Sequence, residues 1–163
     1  PNPSLRGDIY MHDLGEYVKY YGTVYQSSLK LVSNKGSEFD KVFDNIVYDS
    51  QSITNDVSKI NQRDDTWNTI RVYNDYQNTD YQDLIVNTNI KRRERYWKLD
   101  IPRNRVLYTT SSPDIFTDLS ATNIPFAPRM RDKYIVIDLI YNNANNLLLA
   151  FNNLRTIFRI SDR

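Results

Sequence analysis

Five arginines and a tyrosine are the residues best suited to bind something: Arg92, Arg93, Arg95 and Tyr96 in one short stretch, and Arg129 and Arg131 in another. A guanidinium is permanently charged and offers its donors in a planar fork, so it pairs with carboxylates, carbonyls or phosphates. The run Lys91-Arg92-Arg93-Glu94-Arg95 is followed directly by Tyr96-Trp97. Arginine beside aromatic rings is how single-stranded nucleic acid is held, through phosphate charge and base stacking. In a strand, however, successive side chains alternate between faces, and Glu94 and Asp100 dilute the charge. Ion pairs across strands, or to neighbouring protein, are therefore the favoured reading, with nucleic-acid contact as the alternative.

Other chemistry finds less support. His12 is the sole histidine and cysteine is absent, which leaves no thiolate, no disulfide and no zinc ligand set of the usual kind. Asp64-Asp65 and the group Asp75, Asp80 and Asp83 could offer carboxylates to a cation or to acid–base work. No glycine follows Gly36, however, so the glycine-centred calcium loop cannot occur there, and solvated loop acids are expected. Arg6-Gly7-Asp8 spells an integrin-binding tripeptide but reads as a turn. The expectation is a non-enzymatic protein without cofactor or metal.

Strands must position the arginines. Residues 94–101 and 133–141 alternate charged with aromatic or branched side chains, which suits a sheet with one dry face and one charged face. On this reading Trp97, Leu99 and Ile101 share a buried face, as do Ile135, Ile137 and Leu139. Further strand candidates lie at 17–25, 28–33, 47–54, 70–74, 84–86, 106–109 and 147–160. Asn34-Lys35-Gly36-Ser37 is a turn signal, and the asparagines of 142–146 accept left-handed geometry, predicting a hairpin between 133–141 and 147–160. Apolar residues at 39, 42, 43 and 46 follow helical spacing, which predicts one short helix over 39–46. The predicted fold is all-β, built of antiparallel sheets as a sandwich or propeller-like piece, with that one helix.

Length and composition set the frame. The chain has 163 residues, 40% of them hydrophobic, enough for one domain with a real core. A net charge of +1 gives no overall bias toward nucleic acid or acidic membranes, and no apolar run approaches the length of a spanning helix. Residues 1–15 read as an extended, proline-opened arm and 16–163 as a single β domain. The chain starts at Pro1-Asn2-Pro3 without Met, so a C-terminal fragment of a longer polypeptide is expected.

Five blocks in order carry a resemblance: residues 39–46, 67–77 (Trp67 to Gln77), 92–103, 129–134, and Phe158-Arg159-Ile160-Ser161. Over roughly residues 16–163 the chain resembles the C-terminal part of the muzzle (nozzle) tail protein of crAss-like bacteriophages, often labelled a stabilisation protein. The resemblance implies a structural role in the virion, at the distal end of a short tail. It implies a hexameric ring of propeller-like β domains that continues the DNA channel. The implied partners are the rest of the same tail protein, its ring neighbours and the adaptor proteins, with phage DNA nearby. A stand-alone β-sandwich or barrel that binds carbohydrate or single-stranded nucleic acid through Trp67, Trp97 and the Tyr-rich strands is the alternative.

Overall fold

The computed structural model describes residues 15–104 and 128–161. The arm up to residue 14, the strand expected at 106–109 and most of the proline-punctuated loop after it lie outside those residues. Within them all regular structure is antiparallel β, in a six-stranded sheet, a four-stranded sheet and a small two-stranded ribbon. The ribbon joins β1 (Lys19–Tyr20) to β2 (Thr23–Val24) across Gly22, whose φ of 77° favours glycine.

The six-stranded sheet is organised by β4 (Lys41–Thr54). Along one side β4 pairs over its whole length with β12 (Leu147–Ile160). Its other side receives β10 (Arg131–Asp132), β9 (Tyr96–Asp100) and β5 (Asn61–Gln62) in turn, and β8 (Ile90–Arg93) pairs outside β9. The four-stranded sheet runs in the order β3 (Ser27–Ser33), β11 (Ile135–Tyr141), β6 (Thr69–Tyr73), β7 (Gln82–Asp83).

One core lies between the inner faces. Phe43, Ile46, Tyr48, Ile90, Trp97 and Leu99 from the six-stranded sheet cluster with Ile70, Val72, Ile135, Ile137 and Leu139 from the four-stranded one. Two sheets that each hide one face against the other form a sandwich, and period-2 alternation produces that arrangement. Trp97, Leu99 and Ile101 are buried on one side of β9 while Lys98 and Asp100 are exposed on the other, as their alternation predicts.

Three local expectations give way. No helix forms over 39–46: residues from Lys41 onward are strand. Between Ile157 and Phe158 the β12 partners step from Asn45 to Phe43, so Asp44 is an extra residue, a β-bulge. The bulge lets Phe43 and Ile46 both point inward, and this three-residue step imitates helical spacing. Second, 133–141 and 147–160 do not pair, because β11 lies in the four-stranded sheet and β12 in the six-stranded one. The intervening segment crosses between layers, with Asn146 at φ 52°. There the buried Asn143 side chain accepts from Leu147 N and donates to Leu147 O, both at 2.7 Å. Third, the strand expected at 94–101 begins only at Tyr96. Glu94, at φ 57°, turns the chain between β8 and β9.

Candidate interaction site

Register places a lattice of charge on the outer face of the six-stranded sheet. Side chains directly opposite share a face, so Arg155, Val47, Lys98 and Lys91 form one row across β12, β4, β9 and β8. The next row holds Asn153, Asp49, Tyr96 and Arg93. Arg95 and Arg155 both approach the Tyr96 ring, at 5.5 and 5.6 Å from its centroid, a cation–π geometry.

Two acids on β4 anchor this face. Asp49 is 0% exposed, yet it lies only one side chain deep, beneath Arg95 and Asn152. Arg95 donates to Asp49 Oδ2 through Nε at 3.1 Å and through Nη2, and Asn152 Nδ2 donates at 3.2 Å. Asn152 is itself a bulge residue, because β12 steps from Phe151 to Asn153 against consecutive residues of β4. Burial pushes the Asp49 pKa up, but the Arg95 and Asn152 hydrogen bonds and the Arg95 charge together outweigh it and hold the carboxyl below its ordinary value.

Asp44 sits on the other bulge. Arg159 grips it with Nε at 2.8 Å and Nη2 at 3.1 Å, one donor to each carboxylate oxygen, and Arg129 Nη1 adds a third bond. The Arg159 bonds, with both arginine charges, hold Asp44 below the usual carboxylate range despite partial burial. Both acids are thus organised by the ladder irregularities that re-aim side chains out of the pleat.

A third acid works by register alone. Asp138 on β11 faces Lys30 on β3 and Arg71 on β6. Arg71 Nη2 donates to Asp138 Oδ2 at 3.0 Å, Tyr81 Oη donates at 3.0 Å, and Lys30 Nζ stands 3.9 Å away. Arg71 is also stacked between the rings of Tyr73 and Tyr81, at 4.7 and 4.6 Å. Such closed groups rigidify a sheet face and leave little free reactivity.

The six residues singled out by sequence fall into two regions. Arg93, Arg95 and Tyr96 share the outer face beside Asp49, whereas Arg92 turns inward over the Trp97 ring at 5.4 Å and donates to the carbonyls of Arg63 and Glu94. Arg129 and Arg131 line a separate concavity of about 630 Å³ with Arg159. Gln77 fixes that segment by donating to Arg129 O and accepting from Arg131 N. Among the described residues, no carboxylate pairs with Arg93 or Arg131. The residue reading missed the acids that complete these groups: Asp44, Asp49 and Asp138. Their signal was a carboxylate interrupting an apolar strand, as in Val42-Phe43-Asp44 and Ile137-Asp138-Leu139.

The loop acids do different work. Asp65 accepts from Tyr141 Oη at 2.6 Å and Asp75 from Tyr134 Oη at 2.7 Å. These bonds, added to burial, push the Tyr134 pKa up to about 12 and that of Tyr141 higher still. Among the described residues no three His, Cys, Asp or Glu side chains are grouped to hold a metal ion. Trp67 and Trp97 are both buried, so neither presents a ring for a sugar or a base to stack on.

Comparison with known proteins agrees with the block resemblance. No curated protein matches the sequence. The profile of the Crassvirus muzzle protein C-terminal domain matches residues 15–104. The matched stretch ends at Asn104, yet β11, from beyond it, lies between β3 and β6, and β12 covers the whole of β4. Over more than half of its length, then, this sandwich carries the sequence pattern of one family, and the chain belongs to the crassvirus muzzle protein C-terminal domain family.

Proposed function

We propose that the chain is a non-enzymatic structural part of the phage virion: the C-terminal region of a muzzle subunit in a short tail, assembled as a hexameric ring at the distal end of the DNA channel. The observation that carries this reading is the family match over 15–104. The described surface is in keeping with it. Its carboxylate–guanidinium groups are closed within the chain, as a rigid scaffold requires, while Arg93 and Arg131 keep free forks for neighbouring protein. Leu149, Phe151, Leu154 and Phe158 on the inner side of β12 are only partly buried, leaving apolar surface for a neighbour to cover.

Charge reversal tests the protein-facing role. Arg93→Glu or Arg131→Glu should leave the domain folded but reduce the yield of tailed particles, because a mismatched charge in a dry interface is costly. Arg95→Glu is the wrong probe, since it would disturb Asp49 inside the same chain. Normal particle yield with both reversals, or virions whose mass spectra lack these peptides, would overturn the reading.

A further inference from the structure

β12 stands at the edge of the six-stranded sheet. β4 pairs along one side of it, and among the described residues no strand pairs along the other. An edge strand presents a row of unpaired backbone N–H and C=O groups, and folds keep such edges short, or interrupt them, to prevent stray pairing. The other open edges are short: β7 has two residues, β8 four and β3 seven. β12 has fourteen. The bulge at Asn152 interrupts it, but beyond the bulge β12 runs from Asn153 to Ile160 without proline or glycine. That stretch is long enough to pair with a strand of ordinary length.

The side chains are incomplete in the same way. Trp97 and Leu99 of β9, with a strand on each side, are fully buried, whereas Leu154, Thr156 and Phe158 on the inner face of β12 are only half-buried. Asn153, Arg155, Ile157 and Arg159 alternate with them on the outer face and are exposed. Arg159 is taken by Asp44. Arg155 rests against the Tyr96 ring and, among the described residues, has no carboxylate partner. An added strand meets all three needs: its backbone continues the ladder, apolar side chains cover Leu154 and Phe158, and a carboxylate on its other face reaches Arg155. A second copy of the chain is poorly suited to supply it. The open edges long enough to pair, β3, β8 and β12, carry Lys30, Lys91, Arg93, Arg155 and Arg159 and no acid, so copies meeting edge to edge would oppose like charges. We infer that the β12 edge from Asn153 to Ile160 is a strand-addition site, completed by an extended segment of a different polypeptide that alternates apolar with acidic residues. The inference rests on the scaffold reading above for the presence of a neighbour, and adds the form in which that neighbour binds.

The test uses the full 163-residue chain. Fluorescence anisotropy would follow a labelled Glu-Val repeat peptide, with a Glu-Pro repeat (the same charge, unable to extend a ladder) and a Lys-Val repeat as comparisons. The Glu-Val peptide should bind most tightly. Arg155→Glu should weaken it about tenfold, since an attraction turns into a repulsion. Arg155→Lys should bind nearly as the parent does, and Lys59→Glu, away from β12, should change nothing. Circular dichroism should be unchanged in all three variants, because these side chains are exposed. Amide exchange reads the ladder directly: between Asn153 and Ile160 the amides turned away from β4 should exchange fast in the free chain and become protected when the Glu-Val peptide is added. No binding of that peptide, equal binding of the Glu-Pro repeat, or indifference to Arg155→Glu would overturn the assignment. So would protection of those amides in the dilute free chain. Protection that rises with protein concentration, together with dimer formation, would overturn it in favour of a second copy. Peptide binding can fail while the Arg93 and Arg131 reversals still lower particle yield, so this inference and the scaffold reading fail separately.

Discussion

Trp97→Ala is the sharpest test of how the two sheets hold together. The indole is 0% exposed and lies in the β9 register opposite Tyr48 on β4 and Arg92 on β8, with Ile46 and Leu99 in the same cluster. Truncating a buried tryptophan costs about 3–5 kcal/mol, the transfer loss plus the cavity left behind. The upper half of that range applies, because both flanking strands are fixed by ladder bonds and cannot collapse into the space. Set against a domain stability of about 5–15 kcal/mol, the variant loses roughly a quarter or more. Its melting temperature should fall by roughly 10 °C for a chain of this size. Trp97→Phe separates volume from polarity. Among the described residues the indole N–H has no hydrogen-bond partner, so the phenyl ring forfeits no bond there and should cost only about 1 kcal/mol. Urea unfolding followed by circular dichroism, with the m-value checked for constancy, measures both. A loss below about 1 kcal/mol for Trp97→Ala, or equal losses for the two variants, would refute this account of the core.

Acid should weaken the molecule through Asp44 and Asp49. Both have folded pKa values held below the unfolded value near 3.8, so the stability they add is present above that value and disappears as pH falls through the folded ones. A double Asp44→Asn, Asp49→Asn variant should melt lower than the parent at pH 7 and begin to converge with it as pH falls below about 4; parallel melting curves down through the acid range would count against the two ion groups. Asn143→Ala leaves the Leu147 N–H and carbonyl unpaired at the layer crossing and should cost about 2–4 kcal/mol in chemical denaturation. Lys41, fully buried, donates to Lys35 O at 3.0 Å and Gly36 O at 2.7 Å, so Lys41→Ala should cost about 1.5–3 kcal/mol and increase amide exchange across 34–37. Glu94→Asn should raise the melting temperature slightly, because asparagine tolerates the left-handed φ of 57° better than glutamate does.

Sequence alone determined whatever depends on one strand at a time. The alternation at 94–101 and 133–141 named Trp97, Leu99, Ile101, Ile135, Ile137 and Leu139 as buried, and 147–160 coincides with β12, since period-2 patterning is a local property of the pleat. The all-β class and the muzzle family were legible on the same grounds, from patterns carried along the chain. Tertiary structure decided what depends on which strands meet. The bulge at Asp44 shifts the alternation by one residue, so 39–46 imitates a helix until β12 is laid beside it. The asparagine-rich connection at 142–146 is equally compatible with a hairpin or a crossing; core closure selected the crossing, seating β11 between β3 and β6. The candidate site follows the same division. The arginines were visible as a cluster, but Asp49 with Arg95, Asp44 with Arg129 and Arg159, and Asp138 with Arg71 are 46, 85, 115 and 67 residues apart. Pairs so distant in sequence exist only through strand register, and register is fixed by the whole sandwich closing over its core.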